Sequence, residues 1–211
     1  MRRRLMDSVN KAVDGVNLVK GLISHGTEYI DTGIALDDET VIDSSFYIES
    51  FHKNYENYFG GYWNDCGIIR DRWNKSLSLL FRGTKEGANH ISISTPMKAD
   101  ININVKDEIW SVNAETMLIN KSVSNAFTEN KTVWIFAKEA EQGGATDVPG
   151  SFELYSFSIS SSDGINKIDL YPALDPNGIP CLYDTVSKSY FYNEGTGTFG
   201  YETLEGEIVN G

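Results

Sequence analysis

Two cysteines, three histidines and five prolines are all that 211 residues hold of those types. Cys66 and Cys181 stand far apart, so there is neither a CxxC redox motif nor the ligand spacing of a zinc site. A single disulfide and a pair of free thiols both remain open. Partly buried thiols are the expectation for a chain that shows no secretion signal. His25, His52 and His90 are isolated, which leaves a His-based metal site or a Ser-His-Asp triad without support; each is expected at the surface or in a turn. Long apolar runs are missing too, and with them a membrane-spanning segment. Arg2-Arg3-Arg4 starts as a signal peptide does, but Asp7, Asn10, Lys11 and Asp14 occupy the stretch where an apolar run would be needed. Positive charge is scarce: 18 Lys and Arg stand against 30 Asp and Glu, a net charge of -12. That balance excludes broad binding to a phosphate backbone and suits neutral partners such as glycans.

What is present is β-pattern. With 40% hydrophobic, 12% aromatic and 23% charged residues, the chain fits one folded all-β domain rather than a disordered one. Strands are predicted over 29–33, 40–50, 76–82, 90–94, 99–105, 109–113, 115–119, 122–127 and 132–137, with a turn at Asn120-Lys121. Within 99–105, Ile101, Ile103 and Val105 share one face, and Asp100, Asn102 and Asn104 the other. Tyr155, Phe157 and Ile159 are predicted to point one way, and Ser156 and Ser158 the other. Asp175-Pro176-Asn177-Gly178 is a turn, since Pro176 pre-sets φ while Asn177 and Gly178 tolerate positive φ. Residues 138–150 read as a loop and 52–73 as a long aromatic loop. Residues 1–23 read as an arm of low helical quality, because Gly15 and several β-branched residues weaken the helical spacing, and Leu18 to Ile23 can equally be read as a strand. Residues 24–211 form the domain. Many short strands and no convincing helix mean a sandwich or a barrel.

Several segments occur in a telling order: Gly26-Thr27-Glu28-Tyr29-Ile30-Asp31-Thr32-Gly33-Ile34, Phe59-Gly60-Gly61, Met117-Leu118-Ile119-Asn120-Lys121, and Thr132-Val133-Trp134-Ile135-Phe136-Ala137. Gly150 to Phe157, Leu182-Tyr183-Asp184, Phe191-Tyr192 and Gly195-Thr196-Gly197-Thr198-Phe199 complete the series. Together they resemble the concanavalin A-like, laminin-G-like jelly roll of tailed-phage tail or appendage proteins and gut-bacterial surface proteins. The match spans about residues 24–200. The resemblance implies an all-β jelly-roll β-sandwich of two antiparallel sheets and a non-enzymatic virion protein. Its expected work is lectin-like binding of host surface polysaccharide, attachment to other virion proteins, or both. A homo-oligomer is expected, with a trimer as the guess from an appendage role, assembled in the host cytoplasm. A bacterial cell-surface adhesion module and a glycoside hydrolase of the same fold are the alternatives. Residues 52–73 and Cys181 depart from the family pattern, which bears on the ligand site rather than the fold.

Individual motifs are few and short. Gly195-Thr196-Gly197-Thr198-Phe199-Gly200 matches GxGxxG, but no helical stripe comes after it, so a turn closing a strand is expected instead of a dinucleotide site. The hydrolases' Glu-x-Asp-x-x-Glu strand is missing, as is a G-x-S-x-G elbow. Asp37, Asp38 and Glu39 are a weak calcium candidate or a solvated acidic turn. Arg2, Arg3 and Arg4 are a candidate anchor for an acidic neighbour or a frayed terminus. The carbohydrate candidates are Tyr55, Tyr58, Tyr62, Trp63, Asn64, Asp65, Arg70, Arg72 and Trp73. Rings can cover the C–H faces of a sugar, while amide, carboxylate and guanidinium groups take its hydroxyls. The same residues also suit a core or a subunit interface.

Overall fold

A computed structural model describes residues 15–49, 55–61, 66–71, 76–81, 90–113, 115–118, 131–139, 145–146 and 152–211. In chain order the strands are β1 (Asn17–Leu18), β2 (Gly21–Ser24), β3 (Ile30–Ala35), β4 (Thr40–Ile48), β5 (Tyr55–Gly60), β6 (Cys66–Asp71) and β7 (Ser76–Phe81). Next come β8 (His90–Ser92), β9 (Met97–Asn104), β10 (Ile109–Val112), β11 (Glu115–Leu118), β12 (Thr132–Ile135), β13 (Lys138–Glu139) and β14 (Ala145–Thr146). The last are β15 (Phe152–Ser161), β16 (Asn166–Leu174), β17 (Pro180–Asp184), β18 (Ser189–Phe191), β19 (Gly200–Glu202) and β20 (Ile208–Val209). No helix occurs among the described residues.

The larger sheet runs β11-β10-β9-β4-β15-β16-β17-β18, and the smaller runs β3-β12-β5-β6-β7-β8. Every pairing in them is antiparallel. β15 and β16 pair from Phe157 to Ser160. Nearer the start of β15 its neighbour on that side is β2, then β19 and β20, while β1 pairs with the end of β16. The larger sheet thus splits at β15, and residues from both ends of the described chain fill the opening.

Alternation in sequence becomes the two faces of this sheet, because successive strand residues point to opposite sides. Ile42, Phe46 and Ile48 of β4, Ala99, Ile101 and Ile103 of β9, and Phe152, Leu154, Phe157 and Ile159 of β15 are buried in one core. The smaller sheet meets them with Ile30, Tyr58, Leu77, Leu79, Val133 and Ile135. At its centre Phe152 stacks on Tyr58 at 4.6 Å and lies 4.8 Å from Phe46 and 5.2 Å from Phe136. Phe136 also approaches Phe199 at 5.0 Å. Such ring pairs add about 0.5–1.5 kcal/mol each beyond the area they bury. The fold is an all-β sandwich of antiparallel sheets.

Several expectations need correction. The segment read as a loop over 52–73 contains β5 and β6, paired from Tyr55↔Asp71 to Gly60↔Gly67. The strand expected over 132–137 stops at Ile135, because Phe136 adopts φ 67° and turns the chain there. The loop over 138–150 holds the short pair β13 and β14. Tyr155 does not share the face of Phe157: a bulge between Leu154 and Ser156 inserts one residue and turns Tyr155 outward beside Glu153. Asn17–Leu18 and Gly21–Ser24 are strands of the larger sheet, in keeping with the strand reading of Leu18 to Ile23 and not with a helical arm there. The turn at Asn120-Lys121 and the strand expected over 122–127 lie outside the described residues.

Candidate functional site

The outer face of the larger sheet carries a ladder of polar side chains. Register places Ser111, Asn102, Asp43, Ser158 and Asp169 side by side across β10, β9, β4, β15 and β16. The next rung runs Asp100, Ser45 and Ser156 across β9, β4 and β15, and Tyr171, Tyr183 and Tyr190 stand side by side across β16, β17 and β18. Asn102 donates from Nδ2 to Asp43 Oδ1 at 2.9 Å, and Ser45 Oγ donates to Asp100 Oδ1 at 2.7 Å. Thr185 Oγ1 donates to Asp169 Oδ2 at 2.9 Å. Carboxylates held this way keep further lone pairs for a ligand's hydroxyls. Toward the other end of β16 and β17 the face becomes apolar. Ala173, Cys181 and Tyr183 are closed over by Val16, Leu18 and Tyr190. Cys181 is a free, buried thiol, and burial pushes it up to about 12.

The acidic turn between β3 and β4 is part of a network of neighbouring loops. Asp37 accepts from Lys167 Nζ at 2.6 Å and from Thr40 Oγ1 at 2.8 Å. Glu39 accepts from Lys106 Nζ at 2.9 Å and from the hydroxyl of Ser162. Burial acts to raise Asp37, but the bonds from Lys167 and Thr40 hold its carboxyl below the ordinary value. Hydrogen bonds from Ser162 and Lys106 lower Glu39. Calcium needs six to eight oxygens, and both carboxylates already face an ammonium. Among the described residues no group of three or more His, Cys, Asp or Glu side chains is arranged to hold an ion.

Two further knots fix the closing segment. Glu28, buried, accepts from the His25 and Thr27 backbone N–H groups at 2.8 and 3.2 Å, and from Thr27 Oγ1 at 2.9 Å. Burial would raise its carboxyl, yet these donors hold it below the ordinary value. The GxGxxG segment lies against it: a Cβ on Gly195 would sit 1.9 Å from the Thr27 carbonyl oxygen, and one on Gly197 1.9 Å from Glu28 Oε1. These glycines therefore serve close chain packing, as the missing helix suggests. Asp184, buried, accepts from the N–H groups of Asp169, Val186 and Ser187 and from Ser187 Oγ at 2.8, 3.1, 2.9 and 2.5 Å, which ties the β17–β18 turn to β16.

The expected carbohydrate residues do not form one described cluster. Tyr58 is 0% exposed and belongs to the core stack with Phe46 and Phe152, so its ring is closed to a ligand. Its run of sequence is strand, and a strand between two sheets turns alternate side chains inward. Tyr55 and Arg70 fall on the paired strands β5 and β6. Tyr62, Trp63, Asn64, Asp65, Arg72 and Trp73 lie outside the described residues, as do Arg2, Arg3 and Arg4. Of the acidic candidates, Asp37 and Glu39 meet in the loop network and Asp38 is exposed in the same turn. Part of the signal for the outer ladder is in the sequence: Asp100 and Asn102, and Ser156 and Ser158, alternate with apolar residues, while Asp43 and Ser45 flank Ser44. What was missing was the register that lines them up.

A hydrolase of this fold would need two carboxyl groups about 5–10 Å apart across the sugar bond. The Glu153 side chain lies over Gly21 of β2, whose register partner is Glu202 of β19, so these two carboxylates stand side by side on one sheet face. No family model matches the chain, and no curated protein matches it.

Proposed function

We propose that this chain is a non-enzymatic binding module: a concanavalin A-like jelly-roll sandwich from a phage virion appendage, such as a tail, baseplate or fibre. It recognises host surface glycan, attaches to other virion proteins, or does both, and acts as a homo-oligomer. The observation that carries the fold reading is the meeting of the two segments most specific to the resemblance. Tyr29, in the opening segment, donates its N–H to Asn193 Oδ1 at 3.1 Å and accepts from Glu194 N–H at 2.9 Å. The two glycines of the closing segment pack on Thr27 and Glu28. Opening and closing strands joined in this way suit a sandwich whose chain ends return to one place.

The ligand reading rests on chemistry. Asp43, Asn102, Ser158 and Asp169 are carboxylate, amide and hydroxyl groups in adjacent strands, and such groups recognise sugar hydroxyls. Many copies would turn weak single sites into useful attachment. A glycan array probed with the oligomeric protein, with and without calcium, tests it. Binding to at least one bacterial polysaccharide is the expected result. Silence across host polysaccharides removes the lectin reading and leaves attachment to virion proteins. The anchor role of Arg2, Arg3 and Arg4 is tested by removing residues 1–14. Loss of incorporation into particles with the sandwich still folded is expected, and unchanged incorporation refutes it.

A further inference from the structure

Glu153 is 8% exposed, on the outer face of β15. Its Oε2 accepts from Tyr155 OH at 3.1 Å. Its Oε1 is buried with no donor in reach. Beside it stands Glu202 of β19, the register partner of Gly21 of β2, with its carboxyl 2.5 Å from Lys20 Nζ. The Glu153 side chain lies across Gly21 of β2, where a Cβ would come within 2.0 Å of Oε1. Two ionised carboxylates cannot satisfy each other, since each only accepts. A single proton on Glu153 turns the contact into an O–H···O⁻ bond and leaves one negative charge facing one ammonium.

We propose that Glu153 carries a proton that it donates to the Glu202 carboxylate, and that this contact is a pH-sensitive clasp joining β15 to β2 and to the closing strand β19. The glutamates meet only because β2 is inserted between β15 and β19, so the clasp lies where the larger sheet splits. Burial, then the neighbouring Glu202, raises the Glu153 carboxyl to about 7, which agrees with the geometry. The other groups facing the pair are Lys20, Tyr155, Tyr47 of β4, whose residue pairs with Glu153, and Lys98 of β9, 5.3 Å above the Tyr155 ring. Gly206, between Glu205 and Glu207, has its own Cβ position 3.6 Å from Glu202 Oε1. His25, further along the same edge, is set against Gly200.

The carboxyl's value is raised on folding, and this sets the sign. Its stabilisation is complete below the ordinary carboxylate range and is lost as pH rises through about 7. Urea unfolding of the full chain between about pH 5.5 and about pH 8.5 reads this. The folding constant of the wild type should fall roughly ten- to thirty-fold over that range. Glu153→Gln, whose amide donates to Glu202 and cannot titrate, should remove most of the fall, and His25→Gln should leave it in place. Equal losses in wild type and Glu153→Gln, or a fall abolished by His25→Gln, would overturn the clasp. A carboxyl ¹³C NMR titration of the wild type stands independently of any variant. A glutamate carbon titrating near neutral pH and absent from Glu153→Gln is expected, or, if that variant does not fold, one coupled to the Tyr155 ring. All glutamates titrating in the ordinary carboxylate range would overturn the proposal.

Discussion

The two faces of the larger sheet are built from the same strands and have opposite chemistry. On the inner face Phe46, Phe152 and Phe157 interlock with Tyr58, Phe59 and Phe136 from across the sandwich. On the outer face Asp43, Asn102, Ser158 and Asp169 stand in a row, with Asn102 donating to Asp43. The inner face tolerates little change, because buried rings have nowhere to relax. The outer face can vary at small cost, because water replaces what a substitution removes. The apolar core and the polar ladder are thereby separated by the period of two of a β-strand.

The comparison breaks most visibly at Phe152. Phe152→Ala should cost about 3–5 kcal/mol in urea unfolding, since it opens a cavity among three rings; a loss as small as that of an outer-face variant would erase the distinction. Asp184→Ala comes next, at about 2–3 kcal/mol, because it strips the acceptor from several turn donors at once. Burial works to raise this carboxyl, but the bonds from Ser187, Asp169 and Val186 hold it below its ordinary value. Its stabilisation is therefore present above the ordinary carboxylate range and lost as pH falls through the lowered value. Wild type and variant should converge in acid, and a constant gap down to low pH would contradict this.

Gly195→Ala tests the junction of opening and closing segments. The added methyl meets the Thr27 carbonyl, a backbone atom that cannot swing aside, so a loss of about 1–3 kcal/mol is expected in thermal unfolding. Smallest in stability is the outer pair Asp43→Ala with Asn102→Ala, expected within about 1 kcal/mol of wild type. That variant should lose glycan binding on the array that detects the wild type. Retained binding moves the ligand away from the ladder, and a large loss of stability shows that the outer face also holds the fold.

Much of the sandwich was legible in the residues. Ala99 to Val105 alternates plainly, Ile42, Phe46 and Ile48 anchor β4 in the core, and the turn at Asp175-Pro176-Asn177-Gly178 forms with Gly178 at φ 81°. The aromatic segment from Tyr55 misled, because rings interleaved with polar residues look alike in a loop and in a strand with one buried face. Tyr155 misled for a different reason: a bulge breaks the period of two and leaves no mark in composition.

By itself the sequence determined an all-β chain, acidic, with polar and apolar residues alternating along its strands. Those are local properties, set by side-chain chemistry and backbone preference. Only the tertiary structure decided which strands are neighbours. Register is a relation between distant segments, so it alone put Asp43 beside Asn102, Tyr58 beneath Phe152, and Glu153 beside Glu202 across the inserted strand β2.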